Sequence, residues 1–388
     1  MRVLYIASNK ISEFSENSNA YQQPFNLCRK TDCIMVVPLQ CEVNPEIKES
    51  ALDVHKLNVS RAELLSGICP KELRRWRESL IQTQKIDCIV SDFSEWSIGV
   101  ARFLLKKLKR PLFIILWDAP FSNRYEIKRS FLARIEHRVR LFLYNRSVKA
   151  SKCCFCFINK GVLEAEGIKF SRVIQLVNGI DIERINQVKA AAATKRPFSV
   201  CATGRIRLDK GFTEILDAFT DIGNRFRQAT LTFVGRIDGN SPAERKAIET
   251  RLQNHPFFDR ISVTNRLPFQ EAMAVVAQNE IGLHAYSTSR YLYWNHVLKV
   301  GEYQALGLVP VAVKYPGTSD IIRDKETGVL IPSNSSSDIS EAVIRLFRDR
   351  AVLKSLAERA SYAANERSWD RVTSQMLCII EKIVYEKD

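Results

Sequence analysis

Twelve short apolar runs, most of them followed by a stretch with helical spacing, constrain the fold more than any other feature of this chain. They fall at 3–7, 33–37, 87–91, 112–117, 153–158 and 173–177, then at 198–202, 231–234, 261–264, 281–284, 309–313 and 329–331. A strand buried on both faces reads as a continuous apolar run, whereas a half-exposed one alternates. Parallel neighbours need long crossovers, which the intervening helical segments supply. The pattern therefore predicts α/β architecture, with parallel sheets covered by helices on both faces.

A chain of 388 residues is long enough for two such domains. The stretch 187–197, QVKAAAATKRP, reads as a helix tail and linker, after which a fresh strand begins. The expected division is 1–187 and 188–368, two α/β domains of similar size with a cleft between them. Segments 338–365 and 369–385 read as helices, and the terminal helix over 369–388 is expected to pack back on the first domain. No repeat of 20–50 residues is visible.

Charge narrows the partners. Lys and Arg total 58 against 43 Asp and Glu, a net +15, which favours anionic ligands and surfaces. No zinc-finger, RNP or helix-turn-helix signature accompanies that charge, so no nucleic acid is expected. No apolar run reaches the ~18 residues of a spanning helix, and the first apolar run is too short for a signal peptide. Of ten cysteines, Cys88, Cys153, Cys154, Cys156 and Cys201 sit in strand-like runs as small hydrophobes. Cys28 with Cys33, and Cys153 with Cys156, have knuckle-like spacing, yet neither pair brackets a Gly or Pro turn and no His stands near. Structural cysteines, a reducing cytosol and no metal site are the expectation.

Three segments carry candidate chemistry. In ATGRIRLDKGFTEILDAF, 202–219, a strand ends, Gly204 permits a tight turn, and Arg205 and Lys210 precede a helix opening after Gly211. Cations beside a helix N-terminus suit a pyrophosphate; an ordinary loop with two solvated cations has the same spelling. In YWNHVLKVGEYQALGLVPVAVKYPGTSDII, 293–322, a helix over 296–306 puts Lys299 and Glu302 on one face. An ionised carboxylate there could accept both hydroxyls of a vicinal diol, and a plain surface ion pair reads identically. VNGID, 177–181, marks a turn.

Taken in order, these segments resemble the group 1 glycosyltransferases, also called glycosyltransferase family 4. The similarity rests on 177–181, 204–211 (G-R-x4-K-G), 233–235 (F-V-G), 299–311 (K-x2-E-Y-x-A-x-G-x2-P-V), 317–322 and 327–330. It is close in the second half and architectural in the first. It implies the B-type fold of two Rossmann-like domains. It also implies a retaining, metal-independent hexosyltransferase using a nucleotide diphosphate sugar, with no cofactor, acting on a glycan or lipid-linked acceptor. By this resemblance Arg205 and Lys210 bind the diphosphate and stabilise the leaving group, Glu302 binds the ribose, and Lys299 assists. Gly204 lies in the same loop, the turn Gly317, Thr318 and Ser319 approaches the donor from the other side, and Leu267 flanks the nucleobase. Asp118, after the strand 112–117, stands near the reacting sugar in this analogy; capping of the turn before Pro120 is the plain alternative.

The chain departs from the family at three places. Trp294 stands where many members carry the first Glu of a Glu-x7-Glu pair, Val297 replaces a proline, and 8–25 has no glycine. These departures favour, as an alternative, a nucleotide-sugar-binding module without activity. A sugar-nucleotide epimerase on the same fold is a further alternative, but it would need cleft carboxylates of which the missing Glu leaves too few. Nine basic residues against two Glu between Asn123 and Lys152, beside the stripe Ile127, Phe131, Ile135, Val139 and Phe142, join five more in 102–110. Arg129 and Arg140 lie opposite the stripe. This is either a solvated basic face or a docking face for anionic lipid, the latter implying a cytoplasmic protein peripheral at the inner face of the cell membrane.

Overall fold

The structure, a computed structural model, describes residues 1–7, 19–65, 68–117, 138, 141–142, 145–146, 148–191, 194–286 and 293–385. Two compact units divide the chain: Met1–Gly179 with Trp369–Asp388, and Ile180–Ser368.

In the first unit, β1 (Arg2–Ile6), β2 (Asp32–Pro38), β3 (Asp53–Leu57), β4 (Cys88–Asp92), β5 (Leu112–Leu116), β6 (Ser151–Cys156) and β7 (Val173–Gln175) form one sheet in the order β3-β2-β1-β4-β5-β6-β7. Its pairings are parallel. The core gathers Val3, Tyr5, Met35, Val90, Phe113 and Phe155 from the strands with Trp369, Met376 and Ile380 from the helix Trp369–Tyr385. β3 is absent from the sequence reading because DVHKL, at the sheet edge, has no continuous apolar run.

In the second unit, β8 (Ser199–Thr203), β9 (Thr230–Val234), β10 (Ile261–Val263), β11 (Ile281–His284), β12 (Val309–Val313) and β13 (Val329–Ile331) form a parallel sheet ordered β10-β9-β8-β11-β12-β13. Neighbouring residues of β8 serve opposite faces: Val200 packs with Phe212, Phe219 and Phe347, and Cys201 with Val276, Tyr303 and Leu308. The helix Phe212–Arg225 turns Phe212, Ile215, Leu216, Phe219 and Ile222 onto the sheet, the spacing of an amphipathic helix. Both sheets have the doubly wound, Rossmann-like order. The strand sequence reverses between β1 and β4 in one, and between β8 and β11 in the other.

Two boundaries differ from the sequence reading. The units divide between Gly179 and Ile180, not at 187–197. The start of that stretch belongs to a helix, Ile182–Ala191, whose Ile185 and Val188 are buried against the second unit's own core. The segment 338–365 is two helices, Ser336–Arg348 and Arg350–Asn365. Asp349 leaves helical backbone (φ −106°, ψ 85°), and its carboxylate accepts from Val352 N, starting a new helix.

Candidate functional site

In open α/β sheets the place for a ligand is the crevice beyond the carboxyl ends of the strands where the order reverses. In the second unit these ends are Thr203–Gly204 after β8 and His284–Ala285–Tyr286 around the end of β11. The chain leaves β8 at Gly204, with φ +110°. A Cβ on Gly204 would stand 2.3 Å from Lys299 Nζ, so the glycine leaves room for that ammonium. A single 3-10 turn, Leu208–Lys210, then ends at Gly211, whose φ of +74° reverses the chain into the helix Phe212–Arg225. Gly211 lies against the backbone of Ala285, and a Cβ would sit 1.9 Å from its carbonyl oxygen. This contact fixes the Lys210 turn to the end of β11.

The helix Leu298–Ala305 presents Lys299, Glu302 and Tyr303 on adjoining positions of one face. Lys299 Nζ donates to the Thr203 carbonyl (2.7 Å) and to the Tyr286 phenol oxygen (2.6 Å). Thr203 N donates to the Tyr303 hydroxyl at 2.9 Å. The end of β8 is thus held from two points one helical turn apart. Lys210 Nζ lies 5.2 Å from the centre of the Tyr286 ring and Lys299 Nζ 5.1 Å, so two ammonium groups share one aromatic ring. His284, 2% exposed, packs on that ring at a tilt of 46° with centres 4.2 Å apart, and its Nδ1 has no hydrogen-bond partner among the described residues.

The electrostatics follow from burial and from this crowding. Burial lowers the Lys210 ammonium from its ordinary value; Tyr286 opposes the shift, while Lys299, Arg205 and Arg207 add to it. Burial alone would raise the Tyr286 phenol, but Lys299 and Lys210 outweigh it and bring the group below its ordinary value. Burial, with Lys299 and Lys210 adding to it, drops His284 to about 3, so its imidazole is neutral. Burial raises Glu302 to about 7 against the pull of Lys299.

The remaining sequence candidates are placed as follows. Arg205 is exposed and reaches Asp238 at 3.4 Å, beside Arg236, which reaches the same carboxylate at 3.3 Å; pairs so exposed add little stability. Gly317 packs on the backbone of Trp294 and Asn295, where a Cβ would lie 2.2 Å from the Asn295 oxygen. Thr318 is fully buried, and its hydroxyl accepts from Tyr315 N at 2.9 Å and lies 2.7 Å from the Val313 carbonyl, so it builds the turn. Ser319 is exposed on that turn, and Leu267 is half-buried between β10 and the helix Phe269–Ala277. Asp181 accepts from Arg184 N at 3.1 Å, an N-cap for the helix Ile182–Ala191. Asp118, Arg129 and Arg140 lie outside the described residues, as does most of 124–152.

The structure brings Gly204, Lys210 and Lys299 together around Tyr286, a residue the sequence reading missed, with Glu302 one turn along the Lys299 helix. IGLHAY reads as the end of a buried strand, and only the position of that end at the sheet's reversal could have singled out its two aromatic rings.

Residues 183–367 match the family model described as glycosyl transferases group 1. The chain is 24% identical over 216 residues to an uncharacterized glycosyltransferase of Methanocaldococcus jannaschii, covering 54% of this chain and 52% of that one. It is 21% identical over 215 residues to the phosphatidyl-myo-inositol mannosyltransferase of Mycobacterium leprae, covering 55% and 54%. The chain thus matches about half the length of these curated relatives. Among solved structures, HepE of Anabaena in complex with UDP aligns over 98% of this chain and 100% of its own, with a TM-score of 0.75 at 14% identity. At that identity the likeness is one of fold.

Proposed function

We propose, from the premise that residues 183–367 form a group 1 glycosyl transferase domain, that this protein moves a hexose from a nucleoside diphosphate donor to a hydroxyl acceptor, with retention at the anomeric carbon. The observation that carries this reading is the pair of ammonium groups, Lys210 and Lys299, on Tyr286 at the sheet's reversal point. HepE of Anabaena has been crystallised with UDP and with UDP-glucose, which supports a donor of this class.

In this reading the diphosphate lies over Lys210 and Lys299, with Arg205 reaching it from the rim, and Glu302 takes the ribose hydroxyls. Gly317 and Ser319 lie on the donor's other side, and Leu267 flanks the base. The bond from the anomeric carbon to the β-phosphate oxygen breaks, the acceptor oxygen bonds to that carbon, and the acceptor proton passes to the departing phosphate. Charge grows on the phosphate as the bond breaks, and preorganised cations stabilise it most at that moment. Side-chain cations supply this stabilisation, so turnover should survive EDTA; loss on chelation with rescue by Mn²⁺ would overturn that part. Asp118 is assigned to the acceptor side. The first test is thermal shift with UDP, GDP, ADP and dTDP. A ligand at about 100 times its Kd adds about 2.7 kcal/mol, or about 5–10 °C for a domain of this size. No shift with any of the four would remove the nucleotide-sugar reading.

Glu302 gives a pH signature. Its folded value near 7 lies above the ordinary 4.5, so the folded state holds the extra proton between these limits. Its contribution to stability is present below pH 4.5 and is lost as pH rises to 7. Glu302→Gln should therefore flatten the fall in Tm between pH 5 and 7.5, by about 1–3 kcal/mol. A carboxylate that accepts ribose hydroxyls must be ionised, so nucleotide affinity should rise through pH 7 in the native protein and less in the variant. Parallel pH profiles would sink the assignment.

The acceptor is proposed to be lipid-linked or a polysaccharide, with the basic face of the first unit resting on anionic membrane. Lys106 and Lys107 are exposed at the end of the helix Glu95–Leu108. Reversing both to Glu should weaken co-sedimentation with anionic vesicles, each cation being worth about 1 kcal/mol near such a surface. Equal recovery with neutral vesicles would make the face merely solvated.

A further inference from the structure

We propose that Tyr286 is a positioning residue of the donor site, holding the Lys299 ammonium and spacing it from Lys210 so that both meet one diphosphate. The inference deepens the proposed function and rests on the diphosphate reading of this site.

Two like charges beside one ring repel each other. Three features hold them in place. The phenol oxygen accepts from Lys299 Nζ at 2.6 Å. The Lys210 ammonium lies 5.2 Å from the ring's centre, while Lys299, bonded to the phenol oxygen, lies at the ring's edge 5.1 Å from that centre. The Thr203 carbonyl takes a second Lys299 bond at 2.7 Å. Tyr286 is itself fixed: it is 8% exposed, the His284 ring packs against it with centres 4.2 Å apart, and its carbonyl accepts from the Tyr315 hydroxyl at 3.2 Å. The ring is therefore a rigid spacer, and without the phenol Lys299 keeps only its backbone anchor.

The groups that act on Tyr286 come from several elements. Lys210 comes from the 3-10 turn, Arg205 from the loop after β8, Lys299 from the helix Leu298–Ala305, and His284 from its own strand. Glu302 and Tyr303 lie on the Lys299 helix, and Tyr303 feels the Tyr286 charge. His284 is neutral at working pH, and Glu302, with its value near 7, titrates at the start of the alkaline range in the native protein and the variant alike. With the phenol removed its own titration leaves the profile, and Lys210 loses the group that opposed its fall, so the alkaline limb of binding changes.

The test is calorimetric binding of UDP and GDP from pH 7 to 9.5, with native protein and Tyr286→Phe, which keeps the ring. The ligand's own titration is common to both. At pH 7 the variant should bind about 5–20-fold more weakly, and kcat should fall as well if turnover is assayed, since the same cations stabilise the departing phosphate. Its alkaline loss of affinity should begin at a different pH from that of the native protein. A variant with native affinity, or one weaker at every pH with an unmoved alkaline limb, would overturn the positioning role; the second result is what a purely structural residue gives. Failure of the native protein to bind either nucleotide would instead overturn the donor-site reading beneath it. Circular dichroism confirms folding of the variant, and Tyr286→Leu, which removes the ring as well, should weaken binding further than Tyr286→Phe.

Discussion

Replacing Lys210 with alanine should lower turnover by about 10²–10³ while leaving the fold intact, the usual cost of removing one preorganised charge-stabilising group. The size of the effect comes from place as much as from charge. Lys210 is half-buried, held by a 3-10 turn whose end at Gly211 is locked to the backbone of Ala285. Its ammonium lies 5.2 Å from the ring that also carries Lys299. No solvent reorganisation is needed to bring that charge to a departing phosphate. Negative charge is greatest in the transition state, so kcat should fall more than donor affinity. The exposed ion pair Arg323–Glu326 offers a control, since its loss should change turnover little. Lys210→Ala activity within about threefold of native would remove the diphosphate assignment.

The second large effect concerns stability. Gly211→Ala should cost about 3 kcal/mol or more, well into the tail of single substitutions. At φ +74° the left-handed backbone alone penalises alanine by about 1–2 kcal/mol. The new Cβ would also stand 1.9 Å from the Ala285 carbonyl oxygen, a backbone atom that cannot swing aside. Gly307 separates the two contributions. Its φ is +72°, but a Cβ there meets nothing nearer than Lys195 Cε at 4.0 Å. Gly307→Ala should therefore show the backbone cost alone. In melting experiments the expected falls are about 6–12 °C for Gly211→Ala and about 2–8 °C for Gly307→Ala. Equal falls would mean that the Ala285 contact relaxes freely.

Both sheets were legible because buried parallel strands are written as continuous apolar runs. Val3–Ile6, Leu112–Leu116 and Val309–Val313 have no polar residue to confuse the period. β3 was not, since an edge strand spelled DVHKL carries a polar half. The unit boundary was misplaced because alanines favour a helix wherever they occur, and only packing of Ile185 and Val188 shows to which body the helix belongs. At the site, Gly204, Lys210 and Glu302 were named through the family resemblance, which works here because each sits within one local segment that carries a motif. Tyr286 and His284 were not, because their meaning depends on β11 lying beside β8, some eighty residues earlier in the chain. Thr318 shows the opposite limit: a hydroxyl in the right segment proves to be committed to its own turn.

The discontinuity of the first unit bears on how the chain is made. Its sheet comes from the first 179 residues, but the helix bearing Trp369, Met376 and Ile380 follows the whole second unit in the chain. Between them the whole second unit is synthesised, and that unit is continuous, so it can finish folding while its neighbour waits with one face uncovered. For a floppy insertion of roughly 190 residues, closing the gap would cost about 4–5 kcal/mol of chain entropy. The insertion instead ends where it began: Ile180 N donates to the Arg367 carbonyl at 2.8 Å, and Ile180 bridges Ser368. Once it has folded, that entropy has already been spent, and the closing helix is delivered to within a residue of the point where the chain departed. Slow folding of the insertion would therefore leave the first unit's apolar face uncovered for longer.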